Sequence, residues 1–166
     1  MKSMVFVAAL TCAQPAFALD ECLLGSWIVD GAKMADTMAV QMNGSAEFIS
    51  GEAFMEIAAD GAVRMLVSNI VMSVQMQGAP EIEVTVNGTS NATITADAGT
   101  WLLAGGEYAL VGSAFVLGQS MSIPFGSQTG MLGGGGGSFE CGAQELTFVN
   151  DGEAARMPAH WFRLGG

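Results

Sequence analysis

Positive charge is what this sequence has least of. In 166 residues there are five Lys and Arg against sixteen Asp and Glu, with one histidine, one tyrosine and four prolines. A chain this poor in cations has no electrostatic footprint for nucleic acid or for an anionic lipid surface. Its charged partners are cations or basic proteins, and the excess of acid also keeps an apolar-rich chain soluble. Long apolar runs are missing too. The most apolar internal window, residues 63–76, is broken by Arg64, Ser68, Asn69, Ser73 and Gln75, so it is too short and too polar to span a bilayer. Three cysteines and the lone His160 show no metal-ligand spacing, and no Gly-Lys-Ser/Thr follows the glycine-rich stretch. Metal, phosphate and other cofactor sites are therefore not expected.

The first eighteen residues have the layout of a secretory leader. Lys2 supplies the charge, residues 5–10 are an unbroken apolar run, Pro15 ends it, and Ala16-Phe17-Ala18 is a small-x-small cleavage pattern. Cys12 inside the leader is a poor lipidation site, because Thr11 precedes it where a smaller residue is required. The expectation is a leader over 1–18 and a single periplasmic or secreted domain over 19–166, which carries sixteen acids and four bases, a net charge of −12. Removing the leader leaves two cysteines, Cys22 and Cys141, which pair in an oxidising compartment. A link across more than a hundred residues stabilises by roughly 4–5 kcal/mol on chain-entropy grounds.

Hydrophobic periodicity predicts one helix and many strands. Asp30 is a candidate N-cap, Met34, Met38 and Met42 form a stripe at steps of four, and Gly44 is a stop, which places a helix at about 32–43. Elsewhere apolar residues alternate with polar ones. Strands are expected at 22–29, 55–57, 63–67, 72–76, 82–87, 92–96, 107–111, 114–117, 121–125, 139–141, 146–149 and 160–164. Asp60-Gly61, Asn87-Gly88 and Gly112-Ser113 read as turns between them, and the five glycines at 133–137 read as a mobile loop. Alternation with short links predicts a mainly β, antiparallel meander closing into an eight- to ten-stranded barrel, with a β-sandwich as the competing architecture.

Gly25-Ser26-Trp27 at the start of the first strand resembles the lipocalin and calycin barrels, which carry Gly-x-Trp there. The resemblance implies that Trp27 closes one end of the barrel, that Arg163 near the chain end stacks on it, and that the interior takes small apolar ligands. The chain departs from that pattern where a helix follows the motif.

Ten methionines lie after the leader. Thioethers fill irregular apolar space or line adaptable pockets. An interior site would use Met55, Met65, Met72, Val74, Met76, Ile82, Val84 and Met121. The leading expectation is a non-enzymatic binding protein for a small apolar or amphipathic ligand. One alternative is an acidic interaction module, such as an inhibitor of a basic secreted protein. Another is Cu(I) handling through methionine sulfur. No nucleophile context accompanies His160, which is expected at a surface or rim, and no catalytic constellation emerges.

Overall fold

The computed structural model describes residues 19–116, 118–125, 133–152 and 157–165; the expected leader, 1–18, lies outside them. A 3-10 turn, Glu21–Leu23, leads into β1 (Gly25–Val29), α1 (Gly31–Met42), β2 (Gly44–Ile57), β3 (Ala62–Met76), β4 (Ile82–Asp97), β5 (Thr100–Val116), β6 (Gln119–Pro124), β7 (Gly135–Cys141), β8 (Glu145–Asn150) and β9 (His160–Arg163). Every pairing between strands is antiparallel. The ring runs β1–β2–β3–β4–β5–β7–β8–β9 and back to β1, and β6 hangs outside it on β5. The architecture is the expected mainly β barrel with one helix, eight strands in the ring and one beside it.

The ring is uneven. β1, β7, β8 and β9 have only five, seven, six and four residues. β2 to β5 run for 14, 15, 16 and 17. The long strands therefore outrun the short ones at one end, where β5 exchanges β7 (at 100–103) for β6 (at 111–116). Helix α1 leaves β1 at that end and packs on β2 and β3. The Asp30 carboxylate accepts from Ala32 N–H at 3.0 Å and Lys33 N–H at 3.2 Å, the capping expected from sequence. Asn43, in the left-handed conformation at φ 49°, ends the helix. The stop is thus Asn43 and not Gly44, which already pairs with Met76 in β2. Met34, Ala35 and Met38 are buried and Met42 is half-buried, so the methionine stripe faces the sheet.

Two of the expected turns lie within strands. β4 runs straight through Asn87-Gly88, and β5 through Gly112-Ser113. The runs around 63–67 and 72–76 are likewise one strand, and β2 begins eleven residues before the expected one. The cause is a line of irregular pairings across the long strands. Gly51 (φ 103°), Asn69 (φ 47°) and Gly88 (φ 132°) have backbones outside the ordinary β region. The register slips between Phe48 and Glu52, between Val67 and Ile70, and between Ser90 and Ala92. The Asn69 N–H left over by the slip donates to the Asn87 side chain at 2.7 Å. Each bulge sharpens the local bend. In β3 it also moves the buried positions from 63, 65 and 67 to 70, 72 and 74, which in a sequence looks like a break between two strands. The glycine run corrects another expectation. Gly135, Gly136 and Gly137 are strand residues paired with Leu103, Leu102 and Trp101 of β5, and a Cβ on Gly135 would come within 3.5 Å of the Trp101 ring.

The ends of the chain are tied together as the Gly-x-Trp resemblance implies. Trp27 is fully buried, its indole N–H donates to the Leu23 carbonyl at 2.9 Å, and the Arg163 guanidinium lies 4.1 Å from its ring centroid. That guanidinium donates from Nη1 to Leu24 O at 2.7 Å, from Nη2 to Cys22 O at 2.6 Å and from Nε to Ala143 O at 2.9 Å. Gly25 is required beside it, since a Cβ there would sit 2.9 Å from Nη1. The first strand accordingly begins at Gly25 and not at Cys22, whose carbonyl is committed to Arg163. Cys22 and Cys141 form the expected disulfide, with Cα atoms 6.0 Å apart and a sequence separation of 119.

Three measurements follow from this arrangement. Arg163→Lys keeps the charge but loses the planar fork that reaches three carbonyls, so it is expected to destabilise by about 2–4 kcal/mol in urea titration, with a red shift of the tryptophan emission. Cys22→Ala/Cys141→Ala is expected to lose about 3–5 kcal/mol by the same titration. Burial raises the Tyr108 phenol from 10.0 to about 12, and because it is the sole tyrosine, phenolate absorbance reads it directly. The folded protein should titrate well above pH 10 and the urea-unfolded chain near 10. Below pH 10 both states hold the proton; between 10 and 12 only the folded state does, so stability is expected to fall across that window.

Candidate functional site

The end of the barrel opposite α1 carries a pocket of about 580 Å³. Two hairpin turns with their flanking strand residues, and Leu19 two positions ahead of the 3-10 turn, build it. In the β2–β3 turn, Ala58 N–H donates to Ala62 O and Gly61 N–H to Ala58 O, both at 2.9 Å, and the Asp60 carboxylate accepts from Ala62 N–H at 3.0 Å. In the β4–β5 turn, Ala98 (φ 48°) and Gly99 (φ 79°) reverse the chain, and the Thr100 hydroxyl donates to the Asp97 carbonyl at 2.7 Å. The turns are locked to their neighbours: Ile94 N–H donates to Gly61 O, and Phe139 N–H to Gly99 O, each at 2.8 Å. A pocket between turns held this way is formed before any ligand arrives.

Its apolar floor is Leu19, Ile94 and Trp101, all buried. Trp101 is fixed by its indole N–H, which donates to Ser138 O at 3.0 Å, and by edge-on contact with Phe148 at 5.2 Å between ring centres. Leu102, 59% exposed, forms part of the rim. The polar lining consists of the threonines at 93, 95 and 100 and the carboxylates Asp60 and Asp97. An apolar floor with a few convergent polar groups is the usual make-up of a small-molecule site.

None of the eight interior residues named from sequence lines this pocket. Met55, Met65, Met72, Val74 and Val84 are buried members of the continuous core, Ile82 is half-buried against it, and Met76 and Met121 are exposed. Met55 and Met65 also border an outer recess of about 540 Å³ beside Phe54, Arg64 and Leu66. Met76 borders another of about 700 Å³ near Val40 and Gln75. Sequence reasoning missed Leu19 and Trp101 as site residues. Its signals were incomplete: Asp60-Gly61 was legible as a turn and 92–96 as a strand, but nothing local says that the two hairpin ends meet.

His160 is partly buried between two carboxylates. Nδ1 is 3.6 Å from Asp30 and Nε2 is 3.7 Å from Glu145, while the ring stands edge-on to Phe162 at 4.8 Å. Its backbone carbonyl accepts from Asp30 N–H at 2.9 Å, so the cluster joins the helix start to β8 and β9. Asp20, Cys22 and Cys141 also lie together within 4.8 Å. With the two sulfurs bonded to each other, that group offers a metal ion a single carboxylate and no thiolate.

Along β4 the outward residues Glu83, Thr85, Asn87, Thr89 and Asn91 make a polar outer face, and Thr93, Thr95 and Asp97 continue it to the barrel end, where they border the pocket. Among the described residues no helix is long and apolar enough to cross a membrane. No protein-family model, curated protein or solved structure matches the chain, so its site stands on its own geometry.

Proposed function

We propose that this chain is a periplasmic or secreted, non-enzymatic binding protein with a lipocalin-like barrel, which holds a small apolar or amphipathic ligand in the pocket between the β2–β3 and β4–β5 turns. The observation that carries the reading is the 580 Å³ pocket floored by Leu19, Ile94 and Trp101, a volume within the range of sites for drug-sized organic molecules. The disulfide is compatible with an oxidising compartment. The site differs from the interior cup first expected. The methionines of the barrel interior belong to the packed core, and the space for a ligand lies at the turns.

The pocket is tested by filling it. Ala96 lines the wall and is half-buried, so Ala96→Phe projects a ring into the space. Binding of the neutral fluorophore N-phenyl-1-naphthylamine is expected to weaken at least ten-fold in that variant. Leu102→Asp at the exposed rim, which leaves the core untouched, should weaken it several-fold. Binding that neither substitution alters would place the ligand elsewhere and end this reading.

A further inference from the structure

We infer that the pocket selects an amphipathic cation: a molecule with an apolar body and a protonated amine, the body seated on Ile94 and Trp101 and the amine held by the carboxylates of Asp60 and Asp97. The inference rests on the reading of the pocket as a ligand site and adds its chemical class.

The lining contains two carboxylates and no Lys, Arg or His. The carboxylates come from different hairpins, and both turns are locked to neighbouring strands by the bonds through Gly61 and Gly99. The backbones that carry them are therefore held by the barrel. Asp60 uses one oxygen, Oδ1, on its own turn, and that bond makes no demand on Oδ2. The Asp97 turn is closed through its backbone carbonyl, so that closure makes no demand on the carboxylate. Two like charges lining one pocket repel an anion and attract a cation.

The surroundings agree. Asp20 and Glu21 of the adjoining 3-10 turn add negative charge at this end of the barrel. Arg163, which bonds to the Cys22 carbonyl beside them, has its guanidinium directed to three backbone carbonyls and the Trp27 ring. Removal of residues 1–18 would put an α-ammonium on Leu19, itself part of the floor. Two carboxylates against that one ammonium still leave the pocket anionic.

Three ligands with the same eight-carbon chain separate charge from apolar burial: n-octylammonium, 1-octanol and octanoate, each used to displace N-phenyl-1-naphthylamine from the full-length domain. At low ionic strength octylammonium is expected to bind at least ten-fold more tightly than octanol, and octanoate more weakly than either. The octylammonium advantage should shrink in 0.5 M NaCl. In Asp60→Asn/Asp97→Asn the ratio of octylammonium to octanol affinity should fall to about two or less. If the double variant fails to fold, Asp97→Asn alone should reduce that ratio at least three-fold. Octanol or octanoate displacing the probe as well as octylammonium does would overturn the cation inference and leave the pocket reading intact. Displacement by none of the three, with probe binding indifferent to Ala96→Phe, would overturn both.

Discussion

The stacking of Arg163 on Trp27 is the contact on which the rest of the fold depends. It lies where the ring must close, because β9, the last strand, pairs with β1, the first. A four-residue strand against a five-residue one supplies few hydrogen bonds, and with three paired positions that seam is as short as the one between β8 and β9. The guanidinium reinforces it by bonding to Cys22, Leu24 and Ala143, which come from the entry segment and from the β7–β8 turn. Each of the two charge-assisted bonds to part-buried carbonyls, those of Cys22 and Leu24, contributes about 1.5–3 kcal/mol, and the cation over the indole about 0.5–2 kcal/mol more. The disulfide joins the same two segments. Noncovalent and covalent closures therefore coincide, and both hold Leu19 close to the mouth of the pocket.

The opposite end solves a different problem. Four long strands extend beyond four short ones and would leave an apolar face open to water. Helix α1 covers that face with Met34, Ala35 and Met38. The space between a helix and a sheet bent at a row of bulges is irregular in shape. Flexible thioethers suit such a space better than branched side chains, whose rotamers are restricted. Met34, Met38, Met55, Met65 and Met72 are all essentially inaccessible to solvent, and that is the physical use of a methionine content that in sequence could equally have read as a copper site or a ligand cavity.

How far the fold could be read from sequence depended on the range of the signal. Local signals were sound: the Asp30 cap, the methionine stripe of α1, the Asp60-Gly61 turn and the alternation of each strand. Two long-range pairings were also legible, Cys22 with Cys141 because only two cysteines follow residue 18, and Trp27 with Arg163 because a short motif implied it. The failures share one cause. Asn87-Gly88 and the shift in apolar parity near Asn69 look like chain reversals, and they are bulges that let a strand bend while continuing. The glycines at 135–137 look like a loop because they lack side chains; in the barrel the neighbouring Trp101 ring and the partner backbones of β5 and β8 occupy that space. The pocket was illegible for a related reason. It depends on two turns thirty-odd residues apart meeting at one rim, and only the register of β3 on β4 brings them there.

These features divide the molecule by rigidity and by charge. The body is a closed, methionine-packed barrel whose strands leave little freedom, and the pocket lies at turns anchored to that body. A site on anchored turns can change its side chains without disturbing the core, because Asp60, Asp97, Thr95 and Leu102 are exposed and carry none of the barrel packing. The scarcity of basic residues acts at the same place. Of the four after residue 18, Lys33 is paired with Asp36 on α1, Arg163 is committed to the seam, and Arg64 borders the outer recess. None of these three lines the pocket. Among the residues that do, the charges are those of Asp60 and Asp97 alone, which makes the lack of positive charge a property of the pocket as well as of the composition.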